Sequence, residues 1–348
     1  VKKIVITTFI LVTALLLSAC GSESNASQDD GNNVDLSRVR VVIGSSSTGG
    51  DTYQNAEAVS RYLEDEMGTN MKVDAIGAVK AFDELSSAKD DGSTVMFFHD
   101  MAYLGVEYGA FKEENKLENW TIGPVVAINP GNGFLTSGEA PYDTLAESAE
   151  WLNENPEETI TVAIQAGGVS EVIFDGYYLW AKEEFGTGVS DRINVYVTGS
   201  QEDKNQALWD GNADIIHGSI GANAEYTKDE VEDKIKMKFL GLTASERVEG
   251  YDIPTMAEQG IMVNGKEFTF DKEFYFLMPK NVDKEFADKL DQAVQEVVGM
   301  EKYQEDLQKN SYITNYIPAS ESTEYLLEKR KEVNKIIEKA PDLDEIAQ

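Results

Sequence analysis

The sequence predicts an α/β protein of two Rossmann-like lobes joined by two crossing strands, and three observations carry that expectation. Short β-branched runs alternate with segments of helical period from Val39 to the C-terminus. The alternation breaks at Pro130-Gly131-Asn132-Gly133 and starts again beyond it. The alternating body is also too long for one simple core and suits two domains.

Taken in order, residues 39–43 read as a strand and Gly44-Ser45-Ser46-Ser47-Thr48-Gly49-Gly50 as a loop. A helix follows with Ala56, Val59, Tyr62, Leu63 and Met67 on one face and Gly68 as its stop. Residues 71–76 form a strand, 81–88 a helix, and 94–98 a buried strand ending at His99-Asp100. Residues 123–129 make an apolar strand that the Pro-Gly-Asn-Gly stretch ends. In the second unit, 145–152 is helical, 160–164 is a strand, and 165–170 is a loop before an aromatic-rich helix over 172–185. Strand 193–197 leads through Gly199 and Ser200 into a helix, with Ser200 and Asp203 spaced for capping. Strands at 213–217 and 238–242 complete that unit. The last third returns as strand 270–278, then a helix with Phe286, Leu290, Val294, Val297 and Val298 along one stripe, then helices around 303–307 and 325–337. Lobe 1 is expected over 38–127 and 240–348, and lobe 2 over 128–239. Strands alternating with helices predict parallel sheets covered on both faces.

In such sheets ligands bind beyond the carboxyl ends of the strands, where loops feed helix N-termini. Three Gly/Ser-rich loops stand at such ends: 44–50, 165–170 and 198–200. Their small side chains let backbone N–H groups approach a ligand, and a helix N-terminus favours an anion. Lacking Lys-Ser or Lys-Thr after its glycines, the first loop is not a phosphate-binding P-loop. Val172 stands where a nucleophile elbow around Ser170 would need glycine. No catalytic triad order, paired acids or metal-ligand cluster is visible, so neither an enzyme, a metal nor a cofactor is expected. His99 and His217, the two histidines, lie far apart, and His217 reads as packed at a strand end. Phe174, Tyr177, Tyr178 and Trp180 follow helical spacing and read as core rather than as a ligand cage.

The net charge of −33 argues against nucleic acid or an anionic lipid surface as partner. At the N-terminus, Lys2 and Lys3 precede an apolar run over 4–17 and the small residues Ser18 and Ala19. These features describe a signal peptide over 1–19. Leu17-Ser18-Ala19-Cys20 resembles a bacterial lipobox, which implies lipidation of Cys20 and an extracytoplasmic, membrane-anchored chain. Residues 20–37, rich in Ser, Asn, Asp and Gly, read as a flexible tether. Cys20 is the one cysteine, which leaves no thiol for disulfides or metal.

The stretch Tyr251-Asp252-Ile253-Pro254-Thr255-Met256-Ala257-Glu258-Gln259-Gly260, with the segment at 240–247 before it, resembles a signature of the extracytoplasmic receptors of tripartite tricarboxylate transporters. The strand ending at Met278-Pro279, the loop over 41–53, and the block from Val195-Tyr196 through Gly199 and Leu208 to Asp214 are similar to further features of that family. The resemblance implies a two-lobed periplasmic-binding-protein-like fold of type II, a monomer that binds a small organic anion, a carboxylate, and passes it to integral-membrane transporter subunits. It also implies a site. Ser46, Ser47, Thr48, Gly49 and Gly50 would grip one end of the ligand through backbone N–H groups. Gly168, Val169 and Ser170, with Thr198, Gly199 and Ser200, would hold a carboxylate from the other lobe. His99 and Asp100 would point into the same cleft, with Lys80 as a counter-charge, while Tyr53 reads either as a first-turn helix residue facing the cleft or as a packing residue under it. The sequence departs from the family where the first loop replaces its prolines with residues 45–48 and places Tyr53 where the family has Asp. Those departures leave open a neutral or aromatic solute. A sensor role beside a membrane histidine kinase would use the same closure and also stays open, with a surface-anchored enzyme as the more remote alternative.

Overall fold

The computed structural model describes residues 36–347. The expected signal peptide, Cys20 and the tether as far as residue 35 lie outside the described residues. The strands are β1 (Arg38–Ile43), β2 (Asn70–Ala75), β3 (Thr94–His99), β4 (Thr121–Asn129), β5 (Asn132–Ser137), β6 (Ile160–Ile164), β7 (Ile193–Val197), β8 (Ile215–Ser219), β9 (Met237–Leu242), β10 (Met262–Val263), β11 (Lys266–Glu267), β12 (Lys272–Met278) and β13 (Ile313–Ile317). The helices are α1 (Asp51–Met67), α2 (Ala78–Ser86), α3 (Met101–Glu107), α4 (Leu145–Glu154), α5 (Val169–Phe185), α6 (Thr187–Ser190), α7 (Gln201–Trp209), α8 (Ile220–Asn223), α9 (Lys284–Val298), α10 (Glu301–Gln308), α11 (Ala319–Ile337) and α12 (Leu343–Ile346).

The strands form a six-stranded sheet in the order β13-β4-β12-β3-β1-β2 and a five-stranded sheet in the order β7-β6-β8-β5-β9. Each sheet has a parallel core of the kind the sequence predicts: β2-β1-β3 in the first and β7-β6-β8 in the second. The expectation of wholly parallel sheets is corrected, because β12 runs antiparallel to both β3 and β4, and β5 antiparallel to both β8 and β9. These reversed strands adjoin the passages between sheets. The chain leaves β4, turns at Pro130 and Gly131, and enters β5; it returns from β9 to β12 through 243–271. The Asn-Gly pair that reads as a pure breaker therefore opens β5. A Cβ on Gly133 would lie 2.1 Å from the Gly241 carbonyl oxygen on β9, so glycine is what lets these two strands pair closely.

Local chemistry explains the helices. Helix α1 buries Ala56, Val59, Leu63 and Met67 and stops at Gly68, whose φ of 64° lies in the left-handed region. Helix α9 buries the stripe from Phe286 to Val298 that its spacing predicts. Thr144 and Glu147 close a capping box at α4. Helix α5 is buried on nearly every face, packed between its sheet, α11 and the β10–β11 hairpin. Gly176 makes this possible, since a Cβ there would meet the Phe268 ring at 2.5 Å. The aromatic group at 174–180 is core, with Phe174 and Tyr177 fully buried. Helix α3 and strand β13 had no clear sequence signal. Among the described residues no helix is long and apolar enough to cross a membrane.

Gly133→Ala is expected to destabilise the fold by about 2 kcal/mol, because the obstacle is backbone and no rotamer change relieves it. Urea unfolding of the purified variant beside the parent checks this, and an unchanged midpoint would refute it.

Candidate functional site

The carboxyl ends of β1 and β3 from one sheet face those of β6 and β8 from the other, and a cavity of about 190 Å³ lies among them. Its first wall comes from Gly44, Ser45, Gly50, Asp51, Thr52, Phe98, His99, Met101 and Lys272. Its second comes from Asn132, Gln165, Gly168, Val169, Ser170, Lys204 and His217. Gly50 and Gly168 are the N-caps of α1 and α5, and neither helix start has a side-chain cap, so both first turns offer backbone N–H groups. A larger hollow of about 890 Å³ runs along α11 from Ser320 to Glu338, but it is lined by that one helix rather than by both sheets.

An ion pair forms the floor of the first wall. Lys272 Nζ donates to Asp51 Oδ1 at 2.9 Å and Oδ2 at 2.8 Å, and Asn129 Nδ2 donates to Oδ2 at 3.1 Å. Burial alone would raise the Asp51 carboxyl, but Lys272, His99 and the Asn129 amide outweigh it and hold it well below its ordinary range. His99 Nδ1 accepts the Met101 N–H at 3.2 Å. A backbone N–H can only donate, so the ring proton sits on Nε2. Burial, with Lys272 adding to it, pushes His99 well below its usual value, and the ring is neutral.

The second wall holds a different pair. Lys204 is 5 % exposed and His217 8 %, and Lys204 Nζ lies 3.1 Å from His217 Nδ1. Among the described residues Lys204 has no carboxylate within ion-pair distance, and His217 Nε2 is buried without a partner. Burial and then Lys272 push the Lys204 ammonium down to about 7, against the opposing pull of Asp51 and Glu202. The cavity therefore contains two lysines, one carboxylate and two neutral imidazoles. Its balance favours an anion.

The residues expected from sequence divide clearly. Gly50, His99, Gly168, Val169 and Ser170 line the cavity. Ser46, Ser47, Thr48 and Gly49 are exposed and do not, and part of their loop's bonding capacity is already used. Ser47 N–H donates to Ser45 Oγ at 3.1 Å and Gly49 N–H to Ser47 Oγ at 3.2 Å. Tyr53 follows Asp51 and Thr52 on α1, but at about 100° per residue it turns away, and with Thr48 it borders a separate surface groove. Lys80 is placed on the solvent face of α2, opposite the buried Ala81, Phe82 and Leu85, and reaches Glu84 at 3.8 Å. Asp100 faces away from the cavity, fully buried, accepting from Tyr103 Oη at 2.6 Å and the Glu273 N–H at 2.7 Å, with Lys329 Nζ at 3.0 Å. Thr198, Gly199 and Ser200 do not line the cavity, and Ser200 Oγ caps α7 by accepting the Asp203 N–H at 3.0 Å. Sequence reasoning missed Asp51, Lys204 and Lys272 and read His217 as packing alone. Asp51 carried one usable signal, an acid directly after Gly49-Gly50 at a helix start; the lysines carried none.

No family model matches the chain, and no curated protein matches it. Solved structures do. A TctC solute-binding protein from Polaromonas shares the fold with a TM-score of 0.64 at 15% identity, over 87% of this chain and 98% of that one. MatC from Rhodopseudomonas palustris, solved with bound malate, gives 0.67 at 17%, over 86% and 99%. A second R. palustris protein, solved with adipate, gives 0.70 at 16%, over 86% and 96%. These structures share the two-lobed α/β fold that the sequence resemblance implies.

Lys272→Met would leave Asp51 as an unpaired buried carboxylate, at an expected cost of about 3–5 kcal/mol near neutral pH. The paired Asp51, held low, contributes its stability above the ordinary carboxyl range and loses it as pH falls through its folded value. Unpaired, it would titrate higher, so the gap between variant and parent should narrow as pH falls towards about 4. Urea midpoints across that range check both statements.

Proposed function

We propose that this chain is an extracytoplasmic receptor, lipid-anchored through Cys20, that captures a small organic anion and delivers it to a membrane transporter of the tripartite tricarboxylate type. The observation that carries the reading is the cavity between the two sheets, which holds a buried lysine without a carboxylate partner. An unpaired ammonium in a desolvated site is costly, and a ligand carboxylate supplies the missing charge. Two uncapped helix starts and the small side chains of Gly44, Gly50 and Gly168 add backbone donors around it. Malate and adipate, bound in two structural neighbours, support a carboxylate as the chemical class. The cavity of about 190 Å³ is also smaller than the roughly 300–1,000 Å³ of drug-sized sites, which favours a compact solute.

Capture in this reading is a closure of the two lobes about the passages at 130–131 and 243–271, with lobe 1 over 38–127 and 240–348 and lobe 2 over 128–239. Contacts of this kind span the cleft: Tyr108, after α3, donates to Asp175 on α5, and Met101 lies against Gly168.

A thermal-shift panel of dicarboxylates, tricarboxylates, amino acids and neutral sugars on the chain from Gly21 onward tests the reading. A ligand at 100 times its dissociation constant should add about 2.7 kcal/mol of stability. Shifts confined to carboxylates are expected; shifts with sugars alone would overturn the ligand class.

A further inference from the structure

Lys204 and His217 form one hydrogen-bonded unit in the second wall of the cavity. Their separation of 3.1 Å is that of a hydrogen bond between Nζ and Nδ1, and both line the cavity. Such a bond can run in either direction. With Lys204 protonated, Nζ can only donate to Nδ1, and the imidazole proton stands on Nε2. With Lys204 neutral the bond can run either way, and the better donor, imidazole Nδ1–H, paired with the better acceptor, the Nζ lone pair, leaves Nε2 a bare acceptor. His217 Nε2 is buried and unpartnered in either case, so its polarity matters to whatever enters.

Resting on the receptor reading above, we propose that Lys204 and His217 are the anion subsite of this receptor and that they switch together, so that binding of a carboxylate takes up one proton. The proton balance is closed. A proton from solvent adds to His217 Nε2, the Nδ1 proton passes to Lys204 Nζ, and the pair ends with one ammonium and one neutral imidazole. Both groups then present donors to the ligand, Nζ–H and Nε2–H. Without that proton the pair offers the ligand a neutral amine and a lone pair, which repels a carboxylate.

The surroundings put the switch within reach of neutral pH. Four charged or titratable groups face Lys204: His217 on β8, Lys272 on β12, Asp51 on α1 and Glu202 on α7 itself. Strands β5 and β6, also packed on α7, contribute no ionisable side chain. Burial and Lys272 outweigh the two acids and bring Lys204 down to about 7, and burial and Lys204 keep His217 neutral. A bound carboxylate favours the ammonium, so the Lys204 value rises on binding. Affinity is therefore full below about pH 7 and falls by up to about tenfold per pH unit above it, until the bound-state value is passed.

The chain has two histidines, so imidazole 15N NMR of the full soluble body reads the switch directly. In the ligand-free protein the His217 ring should exchange one neutral tautomer for the other with a midpoint near 7, while His99 stays in its single tautomer. Adipate, used as the probe, should move that midpoint up by at least about one unit. Lys204→Arg, charged at every pH, should lock His217 with its proton on Nε2. A His217 tautomer that does not change between about pH 5 and about pH 9 overturns the proposal. So does a midpoint that ignores adipate when thermal shift shows that adipate binds; in both cases the receptor reading stands. If no carboxylate of the panel binds, the carboxylate class of the receptor reading fails and takes this proposal with it.

Discussion

The ion pair between Asp51 and Lys272 is the constraint on which the geometry of this protein turns. It joins the first turn of α1 to the first residue of β12, 221 positions away in the chain. Asn129, the last residue of β4, joins it through its amide nitrogen, and the same side chain accepts the Gly131 N–H at 3.0 Å with its carbonyl oxygen. One cluster therefore fixes the start of a cavity-facing helix, the entry of a returning strand and the point where the chain passes between the sheets. A buried ion pair contributes little net stability of its own, because desolvation offsets the attraction. Its value here is positional, since each partner is costly anywhere but against the other.

Strand β12 carries charges on both of its faces. Successive side chains alternate along a strand, so Lys272 meets Asp51 beside the cavity while Glu273 points to the opposite face. There Lys329 of α11 pairs with Glu273 and with Asp100. Burial raises Asp100 and lowers Lys329, and each is partly restored by the other. The two clusters sit back to back: one beside the cavity, the other tying α11 to the sheet behind it.

The chain also resolves an apparent conflict of charge. A protein with a net charge of −33 holds a cavity whose ionic balance is positive. Surface carboxylates act through water and are screened over about 8 Å at physiological ionic strength. Lys204, Lys272 and the starts of α1 and α5 act at contact distance from a desolvated space, where the same charges count for much more. The net charge and the charge of the cavity are thus set by different populations of side chains.

The sequence by itself determined the order of most strands and helices, the faces they bury, and three candidate loops, of which 44–50 and 165–170 reach the cavity and 198–200 does not. Hydrophobic period and capping chemistry are local, so they survive in one dimension. The stripe from Phe286 to Val298, the cap at Ser200 and the stop at Gly68 are all legible in that way. Tertiary structure alone decided which residues of those loops face inward, why Tyr53 and Lys80 face out, and why Asp100 turns its back on the site that His99 enters. It alone decided that Lys204, on α7, is buried against His217. The physical reason is the same in each case. A charged side chain declares its role only through its partner, and these partners come from strands and helices that meet through the register of two sheets and two passages between them.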